Sequence, residues 1–288
     1  MRKVIQWTGI ALGVVVGLLI VAMAALYISA VARMERVYEV EPEAIAIPSD
    51  AEALRRGEYL ANVLCTGCHG EGLQGAVLFE DPGIGRIVAA NLTAGEGGVG
   101  GSYTDADWVL AIRHGIGPDG KPLFVMPSGD FNYLSDDDLA AIIAYVKSIP
   151  GADNDPGENR VTAMARLLVA AGVFKNPFAA EVIDHSGPRP VPVVPGVTGE
   201  YGEYLILAFG CQGCHGVDLG GGQHPAPDGP PAPNITRGGR LTGWTEDDFL
   251  TAASTRKSEW MPWESLSKMT TDDLRAIWMY LQSVPAKE

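Results

Sequence analysis

The sequence predicts an all-α protein in which an N-terminal transmembrane helix precedes two tandem helical domains. Three observations predict this class: an uncharged N-terminal run, a repeat relating residues 49–152 to residues 198–288, and capped amphipathic helix patterns within each copy. Between these parts we expect a tether at residues 33–48. Residues 153–197 are expected to form a helix followed by a proline-rich linker.

The N-terminal segment has the length and composition of a membrane-spanning helix. After Arg2 and Lys3, the run Val4–Val31 carries no charged side chain. At about 1.5 Å per residue, this run exceeds a hydrocarbon core of about 30 Å, so residues 1–32 are predicted to be an anchor. A cleaved signal peptide is the alternative, because Ala30-Val31-Ala32 resembles a cleavage site, although signal peptides have shorter apolar regions.

Each copy of the repeat contains one Cys-x-x-Cys-His sequence, and together the two motifs use all four cysteines of the chain. Two thiols at this spacing can each add to one vinyl group of a haem, and the histidine that follows can bind its iron. The sequence therefore predicts two covalently bound haem c groups. The motif residues are Cys65, Cys68 and His69 in the first copy, and Cys211, Cys214 and His215 in the second.

Two other kinds of site can use Cys-x-x-Cys pairs. A structural zinc site would combine both pairs, but it does not require that each pair be followed by its own histidine. A thioredoxin-like redox pair would not explain two copies with the same His-Gly continuation. Covalent haem attachment is therefore favoured over both.

The repeat also predicts the second ligand of each iron. Met126-Pro127 and Met261-Pro262 align without a gap to the end of their copies. Each precedes a capping box, at residues 135–138 and 270–273, which begins an amphipathic helix. We therefore predict Met126 and Met261 as the axial ligands opposite the two histidines.

The remaining methionines and histidines are assigned other roles. A linker helix is predicted over Arg160 to Phe174, with Met164 on its buried face. His114, His185 and His224 are expected at the surface or near haem propionates. The other methionines, Met1, Met23, Met34, Met269 and Met279, are assigned to the membrane segment, its edge or the last helix.

Two further features are expected around each haem. Asn91-Leu92-Thr93 recurs as Asn234-Ile235-Thr236, which favours a polar clasp on the loop covering the haem over a glycosylation acceptor. A backbone carbonyl is expected to accept a hydrogen bond from each iron-binding imidazole. We expect this carbonyl near Pro82 for His69 and within residues 225–233 for His215.

Both copies resemble the class I cytochrome c domain. The pattern is similar to the haem domains of cytochrome subunits of membrane-bound alcohol, aldehyde and gluconate dehydrogenases, which carry three such domains. The resemblance implies a small helical fold for each copy, with crossing first and last helices and a partly exposed haem edge. In the first copy it rests on Asn91-Leu92-Thr93, Trp108, Gly117, Met126-Pro127, Asp138-Leu139, Tyr145 and Pro150.

These features predict a membrane-anchored dihaem c-type cytochrome that transfers single electrons in a respiratory or photosynthetic chain. No catalytic residue is predicted. The alternatives are an electron-transfer subunit of a membrane-bound periplasmic dehydrogenase and a dihaem enzyme with one open haem. The net charge of −14, from 21 basic and 35 acidic residues, argues against nucleic acid as a partner and suits a basic docking face.

The expected location is the bacterial cytoplasmic membrane, with the haem domains on the periplasmic side, because covalent haem attachment of this type occurs outside the cytoplasm. The expected partner is a membrane redox complex, namely a quinol-oxidising complex, a terminal oxidase, a reaction centre or a dehydrogenase. A soluble cytochrome or copper protein is a further candidate.

Overall fold

The computed structural model describes residues 1–226 and 228–287 and shows a mostly helical protein with one long apolar helix at its N-terminus. The helices up to residue 148 are α1 (Arg2–Met34), α2 (Ala51–Leu64), α3 (Thr66–His69), α4 (Asp105–Val109, continued by a π-helical turn Leu110–His114), α5 (Ser128–Phe131) and α6 (Asp136–Ser148). Those that follow are α7 (Ala163–Ala170), a 3₁₀ turn (Ala179–Glu181), α8 (Gly199–Ala208), α9 (Cys211–His215), α10 (Glu246–Thr255), α11 (Trp263–Ser267) and α12 (Thr271–Ser283).

The all-α prediction misses a small antiparallel sheet. Strands β1 (Ala76–Asp81) and β2 (Gly85–Ala89) form a hairpin, and β3 (Arg160–Val161) pairs with the other edge of β2. The predicted helix from Arg160 to Phe174 is therefore too long at both ends. Its first two residues form strand β3. Helix α7 begins only after Thr162, whose hydroxyl accepts a hydrogen bond from the Ala165 N–H.

In both copies of the repeat the first and last helices cross closely, as the resemblance implies. A Cβ atom at Gly57 in α2 would lie 1.9 Å from the carbonyl oxygen of Ala141 in α6. A Cβ atom at Gly202 in α8 would lie 2.0 Å from the carbonyl oxygen of Ala276 in α12. Only glycine allows this approach of the two backbones. We call residues 51–148 the N-terminal helical unit and residues 199–283 the C-terminal helical unit.

The last helix of each unit begins at the predicted hydroxyl cap, but the predicted capping box is only half formed, because the Asp138 and Asp273 carboxylates bond other side chains and not the N–H of the capping residue. The Ser135 hydroxyl accepts the Asp138 N–H at 3.2 Å, and the Thr270 hydroxyl accepts the Asp273 N–H at 3.1 Å. The apolar stripes that follow are buried, and each such side chain contributes about 1.5–3 kcal/mol of transfer free energy. These buried residues are Leu139, Ile142 and Val146 in α6, and Leu274, Ile277 and Leu281 in α12.

The two units meet through tyrosines on their first helices. The Tyr204 hydroxyl, on α8, donates a hydrogen bond to Asp138 Oδ2 at 2.5 Å and accepts the Ser135 N–H at 3.4 Å. It therefore completes the cap of α6 in the other unit. Arg56 holds the same Asp138 carboxylate with two hydrogen bonds of 2.7 Å. Burial and the neighbouring carboxylate raise the pKa of Tyr204, so its hydroxyl remains a donor.

The same contact is made in the opposite direction. The Tyr59 hydroxyl, on α2, donates to Asp273 Oδ2 and accepts the Thr270 N–H at 3.2 Å, at the start of α12. Tyr59 and Tyr204 occupy equivalent repeat positions, as do the carboxylates that they contact. Arg56 and Tyr201, also equivalent, meet each other at 3.2 Å. The interface therefore has an approximate two-fold symmetry, like that of a homodimer.

Helix α1 is long and apolar enough to cross a membrane, and its C-terminal end packs against α7. Arg33 forms an ion pair of 2.6 Å with Glu181, and Arg166 donates a hydrogen bond to the Tyr27 hydroxyl at 2.8 Å. The predicted burial of Met164 is wrong: this side chain is 57% exposed, because α7 buries Ala165 and Val169 instead.

Removing either interface hydroxyl should destabilise the protein. We expect Tyr204→Phe and Tyr59→Phe each to lower the free energy of unfolding by about 1–2 kcal/mol, since each removes a hydrogen bond to a buried carboxylate and leaves the N–H of a helix-capping residue without its partner. Urea denaturation measures the change. Tyr133→Phe is the control, because its ring is 43% exposed and no described residue bonds its hydroxyl. An equal loss in all three variants would contradict the interface described here.

Candidate haem-binding sites

The N-terminal helical unit contains a cavity of about 340 Å³ with mainly apolar walls. Cys65, Cys68, His69 and Met126 all line it, together with side chains of α4, α6 and the β1–β2 hairpin. The structure therefore brings together the four residues that the sequence predicts as haem attachment points and iron ligands in the first copy.

The imidazole of His69 is held by a backbone carbonyl. Its Nδ1 lies 2.7 Å from the carbonyl oxygen of Ala90, the residue directly after β2. The expectation of a carbonyl near Pro82 is wrong, because Pro82 lies at the tip of the hairpin, away from the motif-facing end of β2. Burial lowers the pKa of His69, so the ring is neutral. The bond at Nδ1 fixes the ring and leaves Nε2 as the atom that can bind iron.

The C-terminal helical unit holds its histidine in the same way. His215 is buried, and its Nδ1 lies 2.8 Å from the Pro233 carbonyl oxygen. The expectation of a carbonyl from residues 225–233 is confirmed, although Pro227 of that segment lies outside the described residues. Burial lowers the pKa of His215, as it does for His69.

The backbone after each histidine follows the same path. Leu73 and Leu219, each four residues after its histidine, both have a φ of +58°, which is uncommon for leucine. The Leu92 N–H bonds the Leu73 carbonyl at 2.8 Å, and the Ile235 N–H bonds the Leu219 carbonyl at 2.9 Å. Our sequence reasoning missed these two leucines. Their equal spacing from the motif was the available signal.

The two Met-Pro pairs have similar local surroundings. Each lies immediately before a short helix, α5 or α11, and each methionine is half-buried. The Ser128 N–H bonds the Met126 carbonyl at 2.9 Å, and the Trp263 N–H bonds the Met261 carbonyl at 2.7 Å. Met126 lines the cavity that His69 also lines.

The four cysteines form no disulfide bond. Burial raises the pKa of both Cys65 and Cys211 to about 12, so both are neutral thiols in apolar surroundings. Among the described residues, no group of three or more Cys, His, Asp or Glu side chains is arranged to hold a metal ion. The alternative of a zinc site therefore gains no support from the geometry.

The recurrent Asn-x-Thr triplets act as polar clasps. Asn91 is fully buried, and its Nδ2 donates to the carbonyls of Ala152 at 2.7 Å and Asn154 at 3.0 Å. Asn234 Nδ2 donates to the Lys287 carbonyl at 2.9 Å. Each asparagine thus ties its loop to the chain that follows the last helix of its unit. The clasp prediction is confirmed, and the buried Asn91 is inaccessible to glycosylation in the folded protein.

One of the remaining histidines is not where we expected it. His114 is 2% exposed, with Nε2 3.1 Å from Glu43 Oε2 and Nδ1 3.0 Å from His185 Nδ1. The predicted surface position is therefore wrong for His114. This side chain joins the segment after α1 to the linker, and it does not line the cavity.

The cavity suits a haem by an observation independent of the motif. Trp108 lines the cavity and is buried, and its Nε1–H has no hydrogen-bond partner within the part of the chain that the structure describes. Such a donor is costly to bury unless a bound group accepts its hydrogen bond. Haem supplies acceptors through its propionates and fills an apolar cavity with its macrocycle. The equivalent residue of the C-terminal helical unit is Phe249, which offers no donor.

Comparison with known proteins identifies the N-terminal helical unit. The family model of cytochrome c oxidase, cbb3-type, subunit III matches residues 52–146. Residues 52–146 are a cytochrome c domain. A domain of this kind holds a covalently bound haem c, and the residues lining the cavity fit that group.

Similarity to characterised proteins extends over most of the chain. The cytochrome c subunit of a quinone alcohol dehydrogenase from Gluconacetobacter polyoxogenes is 29% identical over 82% of this chain and 57% of its own length. The fructose dehydrogenase cytochrome subunit of Gluconobacter japonicus is 28% identical over 83% of this chain and 55% of its own length. The gluconate 2-dehydrogenase cytochrome c subunit of Pantoea cypripedii is 29% identical over 82% of this chain and 60% of its own length. The chain thus spans less than two thirds of the length of each relative.

The two clasps should differ in their contribution to stability. Asn91→Ala removes three hydrogen bonds from a fully buried site, so we expect a loss of about 2–3 kcal/mol in the free energy of unfolding. Asn234→Ala, the matched variant at a partly exposed site, should cost about 1 kcal/mol. Thermal or urea denaturation measures both. A larger loss for Asn234→Ala would contradict the assignment of Asn91 as the stronger clasp.

Proposed function

We propose that this protein is a membrane-anchored dihaem c-type cytochrome that transfers single electrons between redox partners and is not itself an enzyme. The observation that carries the proposal is the duplicated geometry of the two histidines. His69 and His215 each end a short helix, each bond a backbone carbonyl through Nδ1, and each precede a leucine of the same positive φ. Since the first copy is a cytochrome c domain, the second copy is assigned the same role.

Each copy is proposed to be one cytochrome c domain, over residues 49–152 and 198–288. The haem bound in each supplies an iron that changes between ferrous and ferric states by one electron. Cys65 and Cys68 would attach the first haem, and Cys211 and Cys214 the second. The axial ligands would be His69 with Met126, and His215 with Met261. With both axial positions filled, neither iron would be open to a substrate, which disfavours the enzyme alternative.

The surroundings of the first site support electron transfer without further chemistry. The apolar walls of the cavity would keep water from a bound haem, and the imidazole of His69, held at Nδ1, would keep its orientation when the charge on the iron changes. A histidine and methionine ligand pair gives a higher reduction potential than two histidines, which suits an electron acceptor late in a chain.

A place as the electron-transfer subunit of a membrane-bound dehydrogenase is the more specific form of this proposal. It is supported by the relatives, whose names describe cytochrome subunits of alcohol, fructose and gluconate dehydrogenases. The comparisons give no support to the other partners predicted from the sequence, namely a quinol-oxidising complex, a terminal oxidase, a reaction centre, a soluble cytochrome or a copper protein.

The location proposed is the bacterial cytoplasmic membrane, with both cytochrome domains on the periplasmic side and the N-terminus in the cytoplasm. The contacts of α1 support an uncleaved anchor. Tyr27 and Ala30, which cleavage would remove, pack against the α7 region, where Tyr27 accepts a hydrogen bond from Arg166.

Substitution of the predicted methionine ligands tests the proposal. The oxidised wild-type protein should show far-red sulfur-to-iron charge-transfer absorption from two haems. Met126→His should remove half of it, keep the iron low-spin and lower one midpoint potential, because imidazole stabilises ferric iron more than a thioether does. Met261→His should do the same to the other haem.

Met164→His is the control for these variants, because Met164 is exposed and is not a predicted ligand. It should leave both absorption bands and both midpoint potentials unchanged. A wild-type protein with one high-spin haem that binds cyanide readily would contradict the proposal and favour the enzyme alternative.

A further inference from the structure

The interface between the two helical units places a short segment of each, α5 or the end of α11, against the Cys-x-x-Cys-His helix of the other. Asp130, four residues after Met126, lies against the start of α9: a Cβ atom at Gly210 would be 2.4 Å from Asp130 Oδ2. In the other direction, Lys268 Nζ donates a hydrogen bond to Thr66 Oγ1 at 2.9 Å, between the two cysteines of the first motif.

The charges at these two contacts are not symmetric. By the register of the Met-Pro pairs, Asp130 corresponds to Ser265, and Lys268 corresponds to Tyr133. The second motif therefore receives a carboxylate from across the interface, and the first motif receives an ammonium group. The approximate two-fold symmetry of the backbone is kept, and the electrostatic symmetry is broken.

We propose that Asp130 and Lys268 tune the two haems in opposite directions, so that the haem at Cys65–His69 has the higher reduction potential and the haem at Cys211–His215 the lower. This inference rests on the proposed dihaem function. A negative charge stabilises the ferric state of a nearby iron, which carries one more positive charge than the ferrous state. A positive charge has the opposite effect.

Asp130 is the stronger of the two tuning residues. Its carboxylate is largely removed from water, and no described residue forms a hydrogen bond with its side chain, so its field is poorly screened. Burial raises the pKa of Asp130 to about 6, so the group is ionised at pH 8. Its Oδ2 lies beside Gly210, the residue directly before Cys211, so its charge is close to the second motif.

Other charges near the sites weaken the asymmetry. Lys268 is paired with Glu71 at 2.8 Å and with Glu264 at 3.7 Å, and Glu158 lines the first cavity. At the second motif, Lys175 opposes Asp130 at Cys214. All four opposing groups are exposed, so solvent screens their charges more than that of Asp130. Arg113, buried in the first unit, is balanced by Asp136 at 2.7 Å.

The consequence is a preferred position for the electron. In a protein carrying one electron, that electron resides mainly at the first motif. Transfer from the second motif to the first oxidises one ferrous iron and reduces one ferric iron, with no proton or bond change. An electron donor would therefore deliver to the C-terminal helical unit, and an acceptor would draw from the N-terminal one.

The test is a spectroscopic redox titration of the full-length protein at pH 8. The Met261→His variant assigns the two midpoint potentials, because it should lower only that of the second haem. Asp130→Asn should raise the midpoint potential of the second haem and leave the first unchanged. Lys268→Gln should lower the potential of the first haem. Ser265→Asp, which adds the missing carboxylate beside the first motif, should also lower the potential of the first haem.

Asp137→Asn is the matched control, because it removes an equal charge from an exposed position on α6 and should move neither potential. The inference is overturned if Asp130→Asn moves both potentials equally or neither, or if the first haem of the wild type has the lower potential. Ser265→Asp keeps the test decisive should Asp130→Asn fold poorly. A wild-type protein in which both haems titrate at the same potential also overturns the inference, whereas a wild-type protein that carries a single haem would overturn the proposed function.

Discussion

The reciprocal contact between a tyrosine of one unit and the N-terminus of the last helix in the other determines how this molecule is assembled. Tyr59 and Tyr204 each donate to the carboxylate in the first turn of the other unit's last helix and accept the N–H of that helix's capping residue. The contact is directional and made twice, so it fixes both the distance and the rotation between the units. The proline-rich linker therefore connects the two units and is not needed to set their relative position.

This packing has consequences for the two haem sites. Because the symmetry axis passes near Arg56 and Tyr201, the short helical segment after each Met-Pro pair lies against the Cys-x-x-Cys helix of the other unit. A residue in one such segment is therefore placed to act on the haem proposed for the neighbouring unit. The proposed difference in reduction potential follows from one register position, where the first unit has Asp130 and the second has Ser265.

Local signals in the sequence predicted much of the fold and most of the first site. The hydroxyl caps of α6 and α12, the close spacing of Cys, Cys and His, and the register of the Met-Pro pairs all depend on residues near one another in the chain. The features that were missed depend on distant partners. Arg160 enters a strand only because β2 is beside it, and the roles of Tyr59 and Asp130 appear only when the other unit is in place.

The mass of the denatured protein tests the central claim, that both copies carry a covalent haem, most directly. The full-length chain should retain the mass of two haems after acid–acetone extraction. A variant with alanine at Cys65 and Cys68 should retain one, as should a variant with alanine at Cys211 and Cys214. A wild-type chain that carries only one haem, or that releases haem on extraction, would contradict the account.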